Sequence, residues 1–385
     1  MKKFNSGKTK YLKYVNAFLE KIIHVDKATK PLDWKSAKEI LIIDYNAIGD
    51  IVMLIPFLNA VRENAPSARI TLVCRNLAED VLSNQGLIDV FITSNRRWFS
   101  TRHHVLRDIC EELVCLYLAR KTSFDIALEP RGDLRDIYFM SLCKSRRKAA
   151  FTYTGGAYML TDPVDPDNSI EHMIDDKIYF LKALGCLVDA DNFIPDLHLS
   201  KWQEKDNEGF QMAHNLQDKY IIGLQPTASL ELKEWEGFPQ LIRKIHKAKP
   251  EAIFLIFTEK EKSNYYKELL NKMPGASDWC IHVCEELKSY IQRVAICDLV
   301  ICNDSSAGHI AAAFGIDAHV IFGPVLASFA QPRSRGKVYT YEAENVSCRP
   351  CNIRNCAHEK MCLSQINADI VFNNIIKTID DGKDK

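Results

Sequence analysis

Short apolar runs alternate with amphipathic stretches along most of this chain, and that alternation predicts an α/β protein. Residues 40–44 form a β-branched run, residues 51–64 have helical periodicity with Pro56 as a kink, and residues 66–74 contain the next predicted strand. The order strand, helix, strand is a βαβ unit, whose two strands pair in parallel. Further strands are predicted at residues 90–93, 125–128, 220–224, 253–257, 299–302 and 318–322, and a closing helix at residues 369–379.

The chain length predicts two domains, because 385 residues exceed what one ordinary core accommodates. The first Rossmann-like domain is expected at residues 37–201 and the second at residues 202–385, with the polar run at residues 200–207 as the linker. Residues 1–36 are lysine-rich and precede both domains. They place apolar side chains at helical spacing with lysines opposite, which predicts a basic amphipathic helix.

The loop after the predicted strand at residues 299–302 has the composition of an anion-binding turn. Residues 303–308 are small and polar, and residues 309–314 continue as an alanine-rich helix. The first N–H groups of a helix lack intrahelical partners and the helix dipole favours negative charge there, so the pattern indicates a phosphate or diphosphate ligand. The alternative is an ordinary helix N-cap at Asp304 or Ser305.

The loop at residues 45–50 joins the first predicted strand to its helix, and Gly49 is its single glycine. A dinucleotide-binding turn has the pattern G-x-G-x-x-G, which this loop lacks. The sequence therefore disfavours an enzyme that uses a nicotinamide cofactor.

Four motifs, in a fixed order along the chain, carry a family resemblance. They are A-I-G-D at residues 47–50, the segment at 224–235 with P-x-x-S and K-x-W, the pair Asn303-Asp304 with His309 and the later F-G-P at 322–324, and C-R-P-C at 348–351. The matching region spans residues 40–365. In these motifs the chain resembles glycosyltransferase family 9, the heptosyltransferases of bacterial lipopolysaccharide synthesis.

The resemblance implies a GT-B fold, in which two Rossmann-like domains face a cleft, and an inverting glycosyltransferase activity. The enzyme would move a heptose or a related sugar from an ADP-sugar to a lipopolysaccharide or another cell-envelope glycan. Three alternatives stay open: a transferase of the same fold acting on a protein or another polysaccharide, a nucleotide-sugar epimerase, and a catalytically inactive nucleotide-sugar-binding protein.

The resemblance also implies roles for individual residues. Asp50 would be the base that deprotonates the acceptor, and Lys233 would place a positive charge on the donor diphosphate. Glu259 would bind the nucleotide ribose, and Asp304 would orient its loop. The other donor-binding candidates offer hydroxyl, amide or imidazole groups to phosphate or sugar: Thr227, Ser229, Ser305, Ser306 and His309.

Arg131 and Arg135 follow the predicted strand at residues 125–128. Ligands of open α/β sheets bind beyond the carboxyl ends of strands, so both arginines are candidates for binding an anionic acceptor. The ordinary alternatives are surface salt bridges for the arginines, a helix-dipole role for Asp50, and a solvated loop position for Lys233.

Catalysis is expected to need no metal, because lysine and helix-terminus charge can replace a divalent ion and no D-x-D pair stands out where one would be held. A cysteine-rich loop at residues 348–362 is a separate matter, because it carries four thiols: Cys348, Cys351, Cys356 and Cys362. Compact four-cysteine sets bind zinc, and thiolates also hold iron. One interpretation is a structural zinc or iron away from the reaction; the other is four reduced thiols that pack a loop.

Composition restricts partners and location. The 50 basic and 50 acidic residues give a formal net charge of zero, so global charge does not argue for nucleic acid. The sequence shows neither a membrane-spanning apolar stretch nor a signal-peptide pattern, and an odd count of 13 cysteines fits a reducing cytoplasm. The basic helix of residues 1–36 would then either contact the anionic inner face of the cell membrane or pack on the first domain or a neighbouring subunit.

Overall fold

The computed structural model describes residues 16, 19–94, 105–351 and 356–382. The chain divides into two units, Met1–Phe193 and Ile194–Lys385, so the division lies before the predicted boundary at residue 201. Each unit contains a six-stranded sheet. All the strand pairings in both sheets are parallel among the described residues.

The sheet of the first unit has the strand order β3-β2-β1-β4-β5-β6. Its strands are β1 (Glu39–Asp44), β2 (Arg69–Cys74), β3 (Val90–Thr93), β4 (Phe124–Glu129), β5 (Ser145–Phe151) and β6 (Asp162–Val164). Its helices are α1 (Ile48–Val52), α2 (Ile55–Asn64), α3 (Asn76–Leu82), α4 (Val105–Ala119), α5 (Leu134–Leu142) and α6 (Met173–Ala183). Strands β1, β2 and β4 are almost wholly buried, as expected when helices cover both faces of a parallel sheet.

The sheet of the second unit has the strand order β12-β11-β10-β7-β8-β9. Its strands are β7 (Ile221–Gln225), β8 (Ile253–Phe257), β9 (Cys280–Val283), β10 (Leu299–Asn303), β11 (Asp317–Phe322) and β12 (Val338–Glu342). Its helices are α7 (Lys201–Ala213), α8 (Phe238–Ala248), α9 (Asn264–Lys272), α10 (Leu287–Val294), α11 (Ser306–Ala313), α12 (Ala327–Ala330), α13 (Met361–Ser364) and α14 (Ala368–Gly382). The main core cluster of this unit is built from apolar side chains of α8, α9 and α14 packed on one face of the sheet, and the strand residues of the opposite face are buried as well.

Each sheet has one point at which the chain order reverses. In the first sheet the reversal lies between β1 and β4, and in the second it lies between β10 and β7. Such a switch point leaves a crevice outside the carboxyl ends of the two strands, and open α/β sheets bind ligands there. The strand ends that border these crevices are Asp44 and Glu129 in the first unit and Gln225 and Asn303 in the second.

Two local predictions are wrong. Residues 200–207 do not form a linker but begin α7, because Ser200 and Gln203 form a reciprocal capping box at its N-terminus. Residues 51–64 do not form one kinked helix either, because α1 ends at Val52 and α2 begins at Ile55. Pro56 lies in the first turn of α2, where its missing N–H group is not needed for the helical hydrogen bonds.

The described part of the N-terminal segment packs on the first unit. Leu19 and Ile23 lie against the buried cluster that includes Tyr158, and the Val25 N–H group donates to the Tyr158 carbonyl at 3.1 Å. Most of the predicted basic helix, residues 1–15, 17 and 18, lies outside the described residues. Among the helices that the structure describes, none combines the length and the apolar character that a membrane crossing requires.

Candidate functional site

Carboxyl groups gather at the switch point of the first sheet. Asp44 ends β1 and Glu129 ends β4, while Asp50, Asp133 and Asp136 follow in the adjoining loops and helices. All of these except Asp50 are almost completely buried. Buried carboxylates are costly unless positive charge or hydrogen bonds compensate them, so their partners determine what this site can do.

Asp50 is the half-buried member of this group, in the first turn of α1. The short helix begins directly after the loop at residues 45–47, which continues from the carboxyl end of β1. Its charge acts on that of the buried Asp44, which places the two carboxyl groups close together. The fold thus positions an accessible carboxylate at a ligand-binding edge of the sheet, where it can accept a proton from a bound hydroxyl group.

Arg131 and Arg135 are already compensated by carboxylates. Burial lowers the pKa of Arg131, but four surrounding carboxyl groups, Asp136 foremost, outweigh this effect and raise the pKa overall. Arg135 binds Asp133, the N-cap residue of α5, with 2.8 Å between its Nε and the Asp133 Oδ1. An anionic acceptor would therefore have to compete with carboxylates for both guanidinium groups.

Glu129 is held at the end of β4 by a tight turn. It accepts a hydrogen bond of 2.6 Å from the Gly132 N–H group. Burial, followed by the nearby charge of Asp136, raises the pKa of Glu129 well above its usual range. Gly132 has a φ of 76°, and a Cβ there would lie 2.9 Å from the Phe151 Cβ, so this turn requires glycine.

Asp44 is a buried carboxylate that the sequence analysis missed. It is 1% exposed, and neither of its oxygens has a hydrogen-bond partner among the described residues. Burial raises its pKa to about 6; the positive charges of Lys177 and Arg131 work against that rise, and Asp50 and Asp136 add to it. The sequence signal was an acidic residue at the end of an otherwise apolar strand.

The loop after β7 is tied to the end of β10 by one buried amide. The Asn303 Nδ2 donates to the Pro226 carbonyl at 2.8 Å, and its Oδ1 accepts from the Trp235 N–H group at 3.0 Å. Asn303 itself is fully buried. These two bonds bring residues 226–235 to the edge of the switch-point crevice in the second unit.

Lys233 lies beside the start of α11 because it forms an ion pair with Asp304. Its Nζ is 2.6 Å from the Asp304 Oδ2, with side chains 21% and 8% exposed. The Asp304 N–H group donates to the Ile321 carbonyl at 2.8 Å, which fixes the loop. The Lys233 ammonium and a helix N-terminus therefore adjoin at this point, and both favour an anionic ligand, which would have to compete with the Asp304 carboxylate for the ammonium group.

Helix α11 lies close against its sheet. Its N-cap is Ser305, which makes no side-chain capping bond. A Cβ on Gly308 would lie 2.9 Å from the Val320 Cγ2, so glycine permits the close approach of helix and sheet. His309 is buried in the first turns of the same helix. The glycine is therefore needed for packing, in addition to any contact between the backbone and a ligand.

Ser306 begins α11 beside a buried tyrosine. Burial, together with the nearby Cys302 and Glu259, raises the pKa of Tyr290 well above its usual range, whereas the nearby Ser306 acts in the opposite direction. Ser306, Tyr290 and Glu259 are therefore neighbours. The structure thus brings together donor-site candidates from two segments that are distant in sequence.

Thr227 connects the loop after β7 to Glu259. Its Oγ1 donates to the Glu259 Oε2 at 2.7 Å and accepts from the Gln225 Nε2 at 2.9 Å. Thr227 is buried, whereas Ser229 and Glu259 are exposed. Glu259 is therefore both accessible and oriented, as a group that binds ribose hydroxyls would need to be.

A second lysine at this loop was missed by the sequence analysis. The Lys262 Nζ donates to the Ala228 carbonyl at 2.6 Å and forms an ion pair with Glu234. Glu234 in turn accepts from the Ala228 N–H group at 2.9 Å. Because Lys262 is 29 positions after Lys233 in a polar stretch, no spacing rule identifies it in advance.

The four cysteines of the late loop are reduced. Burial raises the pKa of Cys362, Arg349 lowers it, and the Cys348 and Cys356 thiols raise it, so three of the thiols lie within electrostatic reach of one another. Cys351 is half-buried in the same loop. In the part of the chain that the structure describes, no three His, Cys, Asp or Glu side chains are arranged to hold a metal ion.

Comparison with known proteins assigns the family. Glycosyltransferase family 9 (heptosyltransferase) matches residues 118–362, which is more than half of the chain. The chain belongs to this family. The resemblance drawn from the four motifs is thereby confirmed, and the matched region includes Arg131 and every donor-site candidate from Thr227 to His309. Asp50 precedes that region.

Individual relatives agree with this assignment. Lipooligosaccharide heptosyltransferase 2 of Campylobacter jejuni serotype O:6 is 25% identical over 164 residues, 41% of this chain and 51% of that protein. This chain therefore spans about half the length of the curated relatives that it matches.

Solved structures show the fold. The ADP-heptose LPS heptosyltransferase II of E. coli matches with a TM-score of 0.71 at 16% identity, covering 90% of this chain and 99% of that one. The iron-containing dodecameric glycosyltransferase TibC of E. coli H10407 matches with a TM-score of 0.53 at 11% identity, covering 91% and 78%. The predicted α/β class with a GT-B fold of two Rossmann-like domains is confirmed.

Proposed function

We propose that this family 9 protein is an inverting glycosyltransferase that moves a heptose or a related sugar from an ADP-sugar to a lipopolysaccharide or another cell-envelope glycan. The observation that carries the proposal is Lys233 held beside the N-terminus of α11 by Asp304. The departing nucleoside diphosphate carries negative charge, which the Lys233 ammonium and the first N–H groups of α11 can stabilise.

The donor diphosphate is proposed to bind in the crevice between β7 and β10. The first N–H groups of α11, the Lys233 ammonium and the hydroxyl groups of Ser305 and Ser306 supply its hydrogen bonds. When phosphate binds, the Lys233 ammonium can turn from Asp304 toward the ligand, since it is partly exposed. Glu259, oriented by Thr227, accepts hydrogen bonds from the ribose.

The acceptor is proposed to bind at the first unit with Asp50 as the base. The Asp50 carboxylate takes the proton of the acceptor hydroxyl while that oxygen forms a bond to the anomeric carbon of the donor sugar. The bond between that carbon and the diphosphate oxygen breaks, and its electron pair leaves with the diphosphate. A single displacement of this kind inverts the anomeric centre.

Metal-independent catalysis is part of this proposal. The charge that develops on the diphosphate is stabilised by Lys233 and by the dipole of α11, so the protein supplies what a divalent ion supplies elsewhere. The nearby Lys262 is paired with Glu234 and supports the loop. Removing Lys233 should therefore affect diphosphate binding more than removing Lys262.

The donor and acceptor are proposed from the relatives. One solved relative is named as an ADP-heptose LPS heptosyltransferase, and one curated relative as a lipooligosaccharide heptosyltransferase. An adenine nucleotide and a heptose are therefore the first ligands to test, with a core glycolipid as the acceptor. We place the protein in the cytoplasm, in peripheral contact with the inner face of the membrane that holds such an acceptor.

The cysteine loop is proposed to bind one structural zinc or iron, separate from the reaction. Its support is the number and softness of the thiols and the mutual influence of Cys348, Cys356 and Cys362. One fold relative is named as iron-containing. The described side chains do not form a ready coordination group, so loop residues would have to rearrange around the ion, and no step of the reaction goes through it.

The experiment that tests the function measures release of ADP from ADP-heptose with and without a heptose-deficient lipopolysaccharide acceptor. A transferase releases ADP only when both substrates are present, and the product gains one heptose by mass. ADP release without acceptor would indicate a hydrolytic or epimerase activity instead. Binding of ADP-heptose without turnover on any acceptor would indicate a binding protein.

A further inference from the structure

Helix α4 presents an apolar surface that the core of the first unit does not use. Its large side chains at one half of the helix circumference are 40% to 65% exposed: Ile109, Leu113, Val114, Tyr117 and Leu118. Cys110 lies on the same half and is also exposed. The inward half is anchored by Cys115 and Ala119, which belong to the buried cluster of the unit. We call the outward set the α4 surface.

An exposed set of apolar side chains of this size is expected to bind another molecule. Single exposed apolar residues are ordinary, whereas a contiguous apolar patch on a water-soluble domain marks a site of interaction with a protein or a membrane. The five exposed side chains follow two rows at a spacing of four residues on one helix, 109–113–117 and 114–118. Such rows form one continuous stripe.

The charges around the stripe fit an anionic lipid surface. Arg120 and Lys121, both exposed, follow the helix; the Arg120 guanidinium donates to the Leu142 carbonyl, and the Lys121 ammonium lies 4.8 Å from the centre of the Tyr117 ring. Asp108 and Glu112 fall on the opposite half of the helix, whereas Glu111 lies at the border of the stripe beside Leu118; all three are half-exposed. An apolar stripe with cations at its border and no carboxylate within it matches the composition of membrane-surface helices.

The described N-terminal segment packs on the same buried cluster as α4 and adds an exposed cation and an exposed apolar side chain to this unit. Leu19 and Ile23 pack against the same buried cluster as Leu116 of α4. Between them, Lys21 and Ile22 are exposed, and Ile22 is 65% exposed.

The position of α4 also suits the proposed acceptor. It connects β3 to β4, and in a parallel sheet the connecting helix runs antiparallel to the strands. The N-terminal half of α4, with Ile109 and Leu113, therefore lies toward the edge of the sheet where Asp44 and Glu129 end. A membrane at this surface would present a lipid-linked acceptor on the side of the unit that carries Asp50.

We propose that the α4 surface, together with Lys21 and Ile22, is the face by which this protein binds an anionic membrane. The inference rests on the proposed peripheral membrane location and names the surface responsible for it. It assigns the apolar contribution to α4 and Ile22 and the electrostatic contribution to the exposed cations Lys21, Arg120 and Lys121. Salt therefore weakens binding only in part, since screening acts on charges and leaves apolar burial unchanged.

The test is sedimentation of the full chain with vesicles of mixed phosphatidylethanolamine and phosphatidylglycerol, with phosphatidylcholine vesicles as the neutral comparison. Leu113→Glu and Tyr117→Glu together should lower binding to the anionic vesicles by about tenfold or more, the effect of losing one or two buried large side chains. The matched control is Leu187→Glu, because Leu187 is 77% exposed in the same unit and outside the α4 surface. This control should bind as the wild type does.

Equal binding by the α4 double variant and the wild type would overturn the proposal, and so would a wild type that ignores the vesicles. A wild-type dimer that the double variant abolishes, without vesicle binding, would assign the surface to a second copy instead. The variants are also assayed for ADP release with a delipidated, water-soluble acceptor. The α4 variant should retain that activity, so failure of the membrane inference is distinguishable from failure of the transferase proposal.

Discussion

Replacing Asp44 with asparagine should change the free energy of unfolding by a pH-dependent amount. The variant should gain stability over the wild type as the pH rises from acid to neutral and alkaline values. Asp44 is a buried carboxylate whose oxygens have no hydrogen-bond partner among the described residues. Its ionised form is therefore poorly solvated in the folded state and well solvated in the unfolded state. Asparagine keeps the shape of the side chain and removes the charge.

The magnitude follows from the pKa. In the folded protein burial raises it from 3.8 to about 6. At about 1.4 kcal/mol per pKa unit, this difference corresponds to about 3 kcal/mol of lost stability once the group is fully ionised. The pKa of Asp44 is higher in the folded state than in the unfolded state. The stability that the wild type gains from keeping Asp44 protonated is therefore fully present below pH 3.8 and is lost as the pH rises through 6.

The assay is thermal unfolding of the full chain and of Asp44→Asn from pH 4.5 to pH 8. The pH-independent cost of the substitution cancels when the difference between the two proteins is followed across pH. Between pH 4.5 and pH 8 about 2 of these 3 kcal/mol are lost, because the loss already begins near pH 3.8. For a unit of this size, about 2 kcal/mol corresponds to a relative shift of roughly 4–8 °C in the transition of the first unit. The groups that face Asp44 are Lys177, Arg131, Asp50, Asp136 and Cys74.

Asp89→Asn in the same unit is the control with the opposite sign. Burial works to raise the pKa of Asp89, but hydrogen bonds from the Ile70 N–H group and from Arg62 outweigh it and lower the pKa. The ionised Asp89 carboxylate therefore stabilises the folded protein above its unfolded-state pKa, and this stabilisation is lost as the pH falls. The Asp89→Asn variant should be less stable than the wild type at neutral pH. Parallel pH curves for the wild type and Asp44→Asn would refute the reasoning about Asp44.

Three further predictions concern the second unit. Lys233→Ala and His309→Ala should each weaken ADP binding by about tenfold or more and change adenosine binding little, as measured by calorimetry. Equal losses of affinity for both ligands would show that Lys233 and His309 do not contact the phosphates. Gly308→Ala should lower the free energy of unfolding in urea by about 1–3 kcal/mol despite the better helix propensity of alanine, because the new Cβ meets Val320; unchanged stability would show that the helix can shift freely. Cys351→Ser should lower the amount of bound zinc or iron and the unfolding temperature, while turnover by the folded fraction stays unchanged. If wild-type protein purified without chelator contains no metal and is as stable as the variant, the cysteines are plain reduced thiols.

Much of the fold was predictable because parallel strands that are buried on both faces have continuous apolar runs in the sequence. Strands β3 and β8 begin and end at the predicted residues, and the other six predicted strands differ by a residue or a few at their ends. Strands β5, β6, β9 and β12 were not predicted. The linker prediction failed because polarity was given more weight than capping. Ser200 and Gln203 have the spacing of a capping box, a signal present in the sequence that indicates a helix.

The candidate site was predictable where a motif concentrates several roles in one loop, as in Asn303, Asp304 and His309. It was not predictable where partners come from distant segments. The ion pair of Lys233 with Asp304 joins residues 71 positions apart, and the approach of Asp50 to Asp44 depends on how α1 follows β1. Arg131 is an example of both, because its position at a strand end was foreseen and its surrounding carboxylates were not.

The most direct test of the central claim compares ADP-heptose turnover by the wild type and by Asp50→Asn at saturating donor and acceptor. ADP affinity is measured by calorimetry on the same preparations. The account predicts that the wild type transfers heptose and that Asp50→Asn is slower by about 10²-fold or more, the usual contribution of a general base. Both proteins should bind ADP equally well, because Asp50 and the donor residues lie in different units. Unchanged turnover in Asp50→Asn would contradict the assignment of the base, and a wild type that binds no ADP would contradict the transferase itself.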